Sequence, residues 1–476
     1  MILQHPTNQL THWLWRYSFR IALLSFCLSL SIYGIHFLYY RFSFPLITPD
    51  EASFLSPAYD LIHKGVFSTS IHRQFLPGAD QYTYWMPPLF MASLAVYLNL
   101  VGCSFLKAKL FSFLCFLAAG LLLSTVTPGR SNKLWMLALW FCCPFVLMAS
   151  TTIRMEATGI LITCLTIYAL KKEASAIVLG ILAGSTILTH PIYLACGVAI
   201  GVVVLLRKDW RQVLLFSLTT LLIISPYVWY ISQDSLIFQE QMELQFTRKA
   251  SKSLLTIEPS YLVQFLPISL LAFVLLFRLK TRSELRTFLI FGLLFVDLLV
   301  LKSQEFNYHL NVIPYAIASL ALFVDEQSTR PSLRFLLFPA LMSFFLLLLL
   351  QKGLKLQFVN DDVIHELVDV MHQHQGSWNN RSIFVTGSTD LTGFLLLQGQ
   401  RVERINAVYK LPDSRWDAYY DCVIELVNIR IPEDRIDDSS PPFWACWKKV
   451  CSYQSNHGQF TLSIYESPRS TLHQPN

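Results

Sequence analysis

The sequence predicts a polytopic α-helical membrane protein, with about eleven transmembrane helices plus juxtamembrane ones and a small C-terminal extracytoplasmic α/β domain. Three observations predict it. Of the 476 residues, 54% are hydrophobic and only 14% charged, against roughly 25% charged in soluble domains. Apolar runs follow one another as far as Leu350, with short cationic connectors between them. Beyond Leu350 the composition turns polar and mixed, and no later run is long enough to span. The membrane part is therefore 1–352 and the soluble part 353–476. The formal charge of +6 records cationic loops at one membrane face and points to no nucleic-acid partner.

Residues 1–20 form a short basic, Trp-bearing tail, expected in the cytoplasm by the positive-inside rule. The apolar run 21–40 follows Arg16 and Arg20 as a signal peptide would. It is longer than an h-region and lacks a small-residue cleavage site, so it reads as a retained anchor. A loop, 41–88, follows. Apolar runs then occupy 87–103, 105–127, 134–151, 156–170, 175–189, 191–206, 213–230, 260–278, 287–301, 312–324 and 335–350. Several fall short of the roughly 20 residues a crossing needs. Arg130/Lys133, Lys171-Lys172, Arg207-Lys208/Arg211, Arg278 to Arg286 and Arg330/Arg334 mark the cytoplasmic face. Parity is kept by reading 87–103, which opens on Pro87-Pro88, as a juxtamembrane or re-entrant helix on the outer side. A full crossing with one pair of short runs merged elsewhere is the alternative. The N-terminus then lies inside, the C-terminus outside.

Within the 231–259 loop, residues 235–246 carry apolar groups at helical spacing, which predicts an amphipathic helix at the interface. In the soluble part, 361–374 and 388–397 read as helices, and 382–387, 421–426 and 460–465 as strands. Of the ten cysteines most lie in apolar runs, where they act as small hydrophobes. Cys422, Cys446 and Cys451 lie in the soluble part, where an oxidising compartment would allow two to pair. No Gly-rich phosphate loop, Gly-x-Ser-x-Gly or His-Glu-x-x-His occurs.

Topology brings to the outer face Asp50-Glu51, His63, Lys64, His72, Arg73, Asp80, Arg154, Glu156, His190, Arg248, Lys302, Tyr308 and His309. An acid pair just beyond a first membrane helix is costly near hydrocarbon and is read as functional by default. Simpler readings exist: Asp50-Glu51 as a helix cap, His190-Pro191 as a helix end, Arg154/Glu156 as an interfacial ion pair. A polar cleft opening from lipid toward water suits a reaction with one amphiphilic substrate. A carboxylate there can take a proton from an acceptor hydroxyl while Arg, Lys, His or a bound cation meets a leaving phosphate. Asp50 and Glu156 are the candidate ligands if that cation is a divalent metal such as Mg or Mn; no cofactor is otherwise implied.

Thr48-Pro49-Asp50-Glu51-Ala52, Lys64-Gly65, Tyr84-Trp85-x-Pro87-Pro88-Leu89, Arg154-x-Glu156, Leu182-Ala183-Gly184 to His190-Pro191, Phe238-x-x-Gln241, Arg248 and Tyr308-His309-Leu310-x-x-x-Pro314 together resemble the GT-C fold glycosyltransferases. The nearest group is the protein O-mannosyltransferase and ArnT-like superfamily with its Rgt-like bacterial branch (glycosyltransferase family 39-like). The similarity covers residues 21–325. It implies a GT-C-like fold in a bacterial plasma membrane, a polyprenyl-phosphate sugar as donor, and inversion at the anomeric carbon. It implies Asp50 as general base, with Glu51 and Glu156 shaping the catalytic site. Trp85, Arg154, His190, Gln241, Arg248, Lys302, Tyr308 and His309 make up the candidate substrate-binding set. ArnT-like enzymes carry Glu-Lys ahead of the proline where this chain has Trp85-Met86, so a lipid A acceptor is not implied.

The leading reading is a membrane glycosyltransferase acting on an extracytoplasmic lipid, glycan or protein. The alternative is a transporter or flippase for lipid-linked glycans. A transporter places charge or broken helices near the midplane of several spans, often within internal repeats. Here polar residues gather at one face and no repeat is found. A third reading, an outer-domain scaffold, gives Asp50-Glu51 no purpose.

Overall fold

The computed structural model describes residues 7–40, 51–69, 71–72, 76–250, 259–280, 283–303, 306–326 and 331–353, residues 370 and 373, and strands within 382–467. The membrane part is helical throughout. The helices are α1 (Thr7–Tyr40), α2 (Glu51–Lys64), α3 (Leu89–Val101), α4 (Phe105–Ser124), α5 (Arg130–Cys142), α6 (Pro144–Ser150), α7 (Glu156–Lys171) and α8 (Ala176–Ile187). After a 3-10 turn, Pro191–Tyr193, come α9 (Leu194–Leu206), α10 (Trp210–Ser232), α11 (Ser235–Ala250), α12 (Pro259–Arg278) and α13 (Glu284–Ser303). A second 3-10 segment, Phe306–Val312, leads into α14 (Ile313–Glu326), and α15 (Pro331–Gly353) follows.

Local chemistry sets the boundaries. Ser104 caps α4 by accepting from the Lys107 amide at 3.2 Å, and Asp209 caps α10 by accepting from the Arg211 amide at 3.0 Å, each satisfying an orphan helix donor. The run 134–151 is broken where Cys143 is extended and Pro144 opens α6. Proline cannot continue the preceding ladder, and the two helices bend by 64°. Close approach is obtained from small residues. Gly180 and Gly184 on α8 lie against Phe216, Thr219, Thr220 and Ile223 of α10, and the Thr220 hydroxyl donates to the Gly180 carbonyl at 3.2 Å. This is the small-x-x-x-small contact of membrane helices.

By length and composition, four described helices qualify as spans: Phe19–Leu38, Phe105–Ser124, Trp210–Ser232 and Tyr308–Glu326. The α5–α6 pair, bent at its break, adds a fifth when it is taken as one span. The protein is thus a multi-pass membrane protein. The expected count of about eleven also took in helices that are shorter, such as Ala176–Ile187, or that carry several charges, such as α13. The run 87–103 folds as the 13-residue α3, one of the shorter apolar helices.

At the connector face, charges are tied down. Arg207 grips Glu284 with two bonds, 2.8 and 2.7 Å, and Asp325 accepts from Thr127 and Asn132 at 2.6 and 3.0 Å. Between α12 and α13 the Ser269 hydroxyl donates to Asp297.

The C-terminal part holds a five-stranded sheet in the order β2-β1-β3-β5-β4: β1 (Ser382–Thr386), β2 (Arg401–Ile405), β3 (Cys422–Asn428), β4 (Lys448–Gln454) and β5 (Phe460–Glu466). β1 runs parallel to β2 and β3, whereas β5 is antiparallel to β3 and β4. Strands β1, β3 and β5 match the sequence expectation; β2 and β4 are additions to it. The expected helix 361–374, apart from residues 370 and 373, and helix 388–397 lie outside the described residues. Cys422 on β3 and Cys451 on β4 are separated by β5, about 10 Å apart at two strand spacings, beyond the reach of a disulfide. That pairing is therefore excluded; Cys446 lies outside the described residues.

Candidate active site

The site grows from the start of α2. Glu51, its first residue, is fully buried. Its carboxylate meets the ammonium of Lys109 on α4 at 3.9 Å, with both side chains 0% exposed. One turn on, Phe54 stacks on Trp85 (5.7 Å, 10° between planes), and His72 meets the same indole edge-on at 5.5 Å. The guanidinium of Arg154 lies 5.9 Å from the Phe54 ring. Arg154 itself holds Glu156 with two bonds, 3.1 and 3.0 Å, and both side chains are almost wholly buried. Glu156 is also the first residue of α7, where the helix dipole favours an acid. The indole N–H of Trp85 is buried and finds no acceptor among the described residues.

A second cluster adjoins the first. The Tyr193 hydroxyl donates to the Glu156 carbonyl at 3.4 Å, and the neighbouring His190 meets Tyr308 through Nε2 at 3.2 Å. The Ile192 amide donates to His190 Nδ1 at 3.2 Å. In a neutral ring the proton therefore sits on Nε2 and points at the Tyr308 oxygen. His309 is fully buried and edge-on to Phe145 at 5.7 Å.

The loop over the site is held from outside. Gln241 on α11 accepts from the Tyr84 amide (2.8 Å) and donates to the Pro77 and Tyr82 carbonyls (2.8 and 2.9 Å). Gly78, at φ +63°, lies directly on Ile237. Tyr84 donates to the Tyr230 carbonyl at 3.2 Å, and burial, with Tyr82 beside it, pushes its phenol up to about 12. The amphipathic helix expected at the interface is present as α11, but Ile237, Phe238 and Gln241 turn toward this loop. Both amide ends of Gln241, expected to bind substrate, are engaged by the loop backbone, so it acts here as a clamp.

The structure brings Glu51, Trp85, Arg154, Glu156, His190, Tyr308 and His309 into these two clusters. Asp50 precedes Glu51 directly but lies outside the described residues, as does the side chain of Arg248 on α11. Lys302 ends α13 and is exposed. Among the described residues no group of three His, Cys, Asp or Glu is placed to hold a metal ion, and both Glu156 oxygens already serve Arg154. Lys109 was missed in the sequence because it sits inside an apolar run. The signal was there: Lys107 and Lys109 are about 200° apart on a helix, so they leave it on opposite sides.

No protein-family model matches the chain, and no curated protein matches it. Solved structures do. The crystal structure of ArnT from Cupriavidus metallidurans bound to undecaprenyl phosphate superimposes with a TM-score of 0.56 at 14% identity, over 95% of this chain and 99% of that one. The apo structure of the same protein gives 0.57 at 13% identity, over 94% and 99%. The chain has an ArnT-like fold.

Proposed function

We propose that the chain is a membrane glycosyltransferase that moves a sugar from a polyprenyl-phosphate donor to an extracytoplasmic acceptor with inversion. One observation carries this reading: charged pairs, Glu51–Lys109 and Arg154–Glu156, are buried together in an ArnT-like fold, and a protein of that fold binds undecaprenyl phosphate. Burying charge in a membrane protein is costly and marks function by default. In the reaction, Asp50 takes the proton of an acceptor hydroxyl, whose oxygen bonds to the anomeric carbon. The bond from that carbon to the donor phosphate breaks, and polyprenyl phosphate leaves. A cation must meet the phosphate in low dielectric. Arg248 is the first choice, since arginine suits bidentate phosphate contact, and Lys302 with Tyr308 and His309 is the second.

The test is transfer by purified protein in lipid nanodiscs offered a panel of polyprenyl-phosphate sugars. Asp50→Asn lowers turnover by ~10²–10⁴ with expression and insertion unchanged, and Glu51→Gln is milder. Near wild-type turnover in Asp50→Asn would remove the assignment.

A further inference from the structure

We propose that Lys109 is a positioning residue for this transfer: its charge opposes Glu51 in a contact shielded from solvent and thereby fixes the first turn of α2, to which Asp50 is joined. The inference rests on the reading of Asp50 as base. Lys109 stands in an apolar helix with no exposed surface, where an ammonium is retained only against an opposing charge. That charge is Glu51, 3.9 Å away and equally shielded. The separation exceeds a hydrogen bond, so the contact is one of charge with charge. The Phe105 ring, 5.5 Å from the ammonium, flanks it on its own helix. Lys107, two residues earlier, instead turns back to the Val101 carbonyl. Helix α4 thus directs one lysine to its own N-terminal junction and the other into the site.

Lys109 reaches further through α2. Glu51 and Phe54 are one turn apart, and Phe54 carries the Trp85 stack and lies beneath Arg154. Without Lys109, Glu51 loses an opposing charge inside a shielded contact, and the first turn of α2, which carries Glu51 and is joined to Asp50, shifts to relieve it. The loss therefore falls on the chemical step and leaves the donor-binding residues in place.

The experiment is a double-mutant cycle on the full chain in nanodiscs: Lys109→Met, Lys109→Arg, Glu51→Gln and Lys109→Met/Glu51→Gln, each assayed for kcat, donor KM and unfolding midpoint. Lys109→Met is expected to lower kcat by about 10²-fold, as a misplacement of about 1 Å does, with donor KM held within about twofold. Lys109→Arg recovers most of it. On the Glu51→Gln background, Lys109→Met changes kcat by less than about threefold, because the charge it answered is gone. Equal losses on both backgrounds, or a loss confined to donor KM, overturn the proposal; the latter means that Lys109 touches the donor. The midpoints separate this from failure of the glycosyltransferase reading. If wild type transfers no sugar at all, that reading fails and the positioning role with it, while non-additive midpoints still establish the pair. Additive midpoints overturn the pair whatever the activity.

Discussion

At the scale of single residues, the buried ion pair Arg154–Glu156 makes the sharpest demand on the fold. Its two bonds lie in a setting with side-chain exposures of 7% and 6%, so removing one partner leaves an uncompensated charge. Arg154→Met or Glu156→Gln alone is expected to destabilise by about 3–5 kcal/mol, and the double variant by much less, as read from detergent unfolding. Equal destabilisation by the double variant and by the sum of the singles rejects the coupling. Donor affinity tests the phosphate contact separately: Arg248→Ala should weaken binding of a polyprenyl-phosphate analogue more than Lys302→Ala, with or without chelator. If neither weakens it and chelator abolishes it, a metal holds the phosphate. Arg154, Glu156 and His190 were legible in the sequence because each stands at the end of an apolar run, where polar groups attract notice. Lys109 stands one turn inside such a run, and only its packing against Glu51 gives it meaning. Gln241 was legible as important, but its partners are backbone groups of a loop some 160 residues earlier, at separations of 157 to 164, which no local pattern encodes.

At the scale of elements, the loop between α2 and α3 is shaped by what presses on it. Gln241→Leu strips three loop backbone groups of their partners, each costing about 1–3 kcal/mol if left buried and unmet. Residues 76–84 should then exchange amide hydrogen faster and be cut sooner by protease, with α10 unaffected; unchanged exchange rejects the clamp. Helix α10 offers a pH test at its other end. The Arg211 amide, and then the Gln212 side chain, hold the Asp209 carboxyl below its ordinary value. A lowered folded value means that its stabilisation is complete above the unfolded value near ~4 and is lost as pH falls through the folded one. Asp209→Asn keeps the cap and should lack that acid-side loss in the unfolding midpoint. The apolar helices were readable from runs alone, to within a few residues. The break at Cys143-Pro144 was not separated from its run, because both flanks are equally apolar. Strands β2 and β4 escaped notice for the opposite reason. Arg401, Glu403, Arg404, Lys448 and Lys449 give them charge where alternation of apolar residues is the readable signal.

At the scale of the whole molecule, the fold separates two polar faces, and the proposed chemistry depends on which faces out. One face holds the connectors, with Arg207–Glu284 and Asp325 bound to Thr127 and Asn132; the other holds Glu51, Arg154, Glu156 and His190. The lysines and arginines of the first assign it to the cytoplasm, and the described helices meet the span count behind that assignment only in part. Helix α10 decides sidedness without that count. Its 23 residues make a rod about 34 Å long, enough for one hydrocarbon core, and it qualifies as a span on its own. Lys208 lies just before it and Glu240 on α11 just after it, both exposed. In a chain freed of its native cysteines, Glu240→Cys should react with a membrane-impermeant maleimide in intact cells, and Lys208→Cys only after permeabilisation. Reaction of both from one side removes α10 as a span. The reverse pattern turns the molecule over: the candidate site would then face the cytoplasm, and the acceptor would have to be sought there.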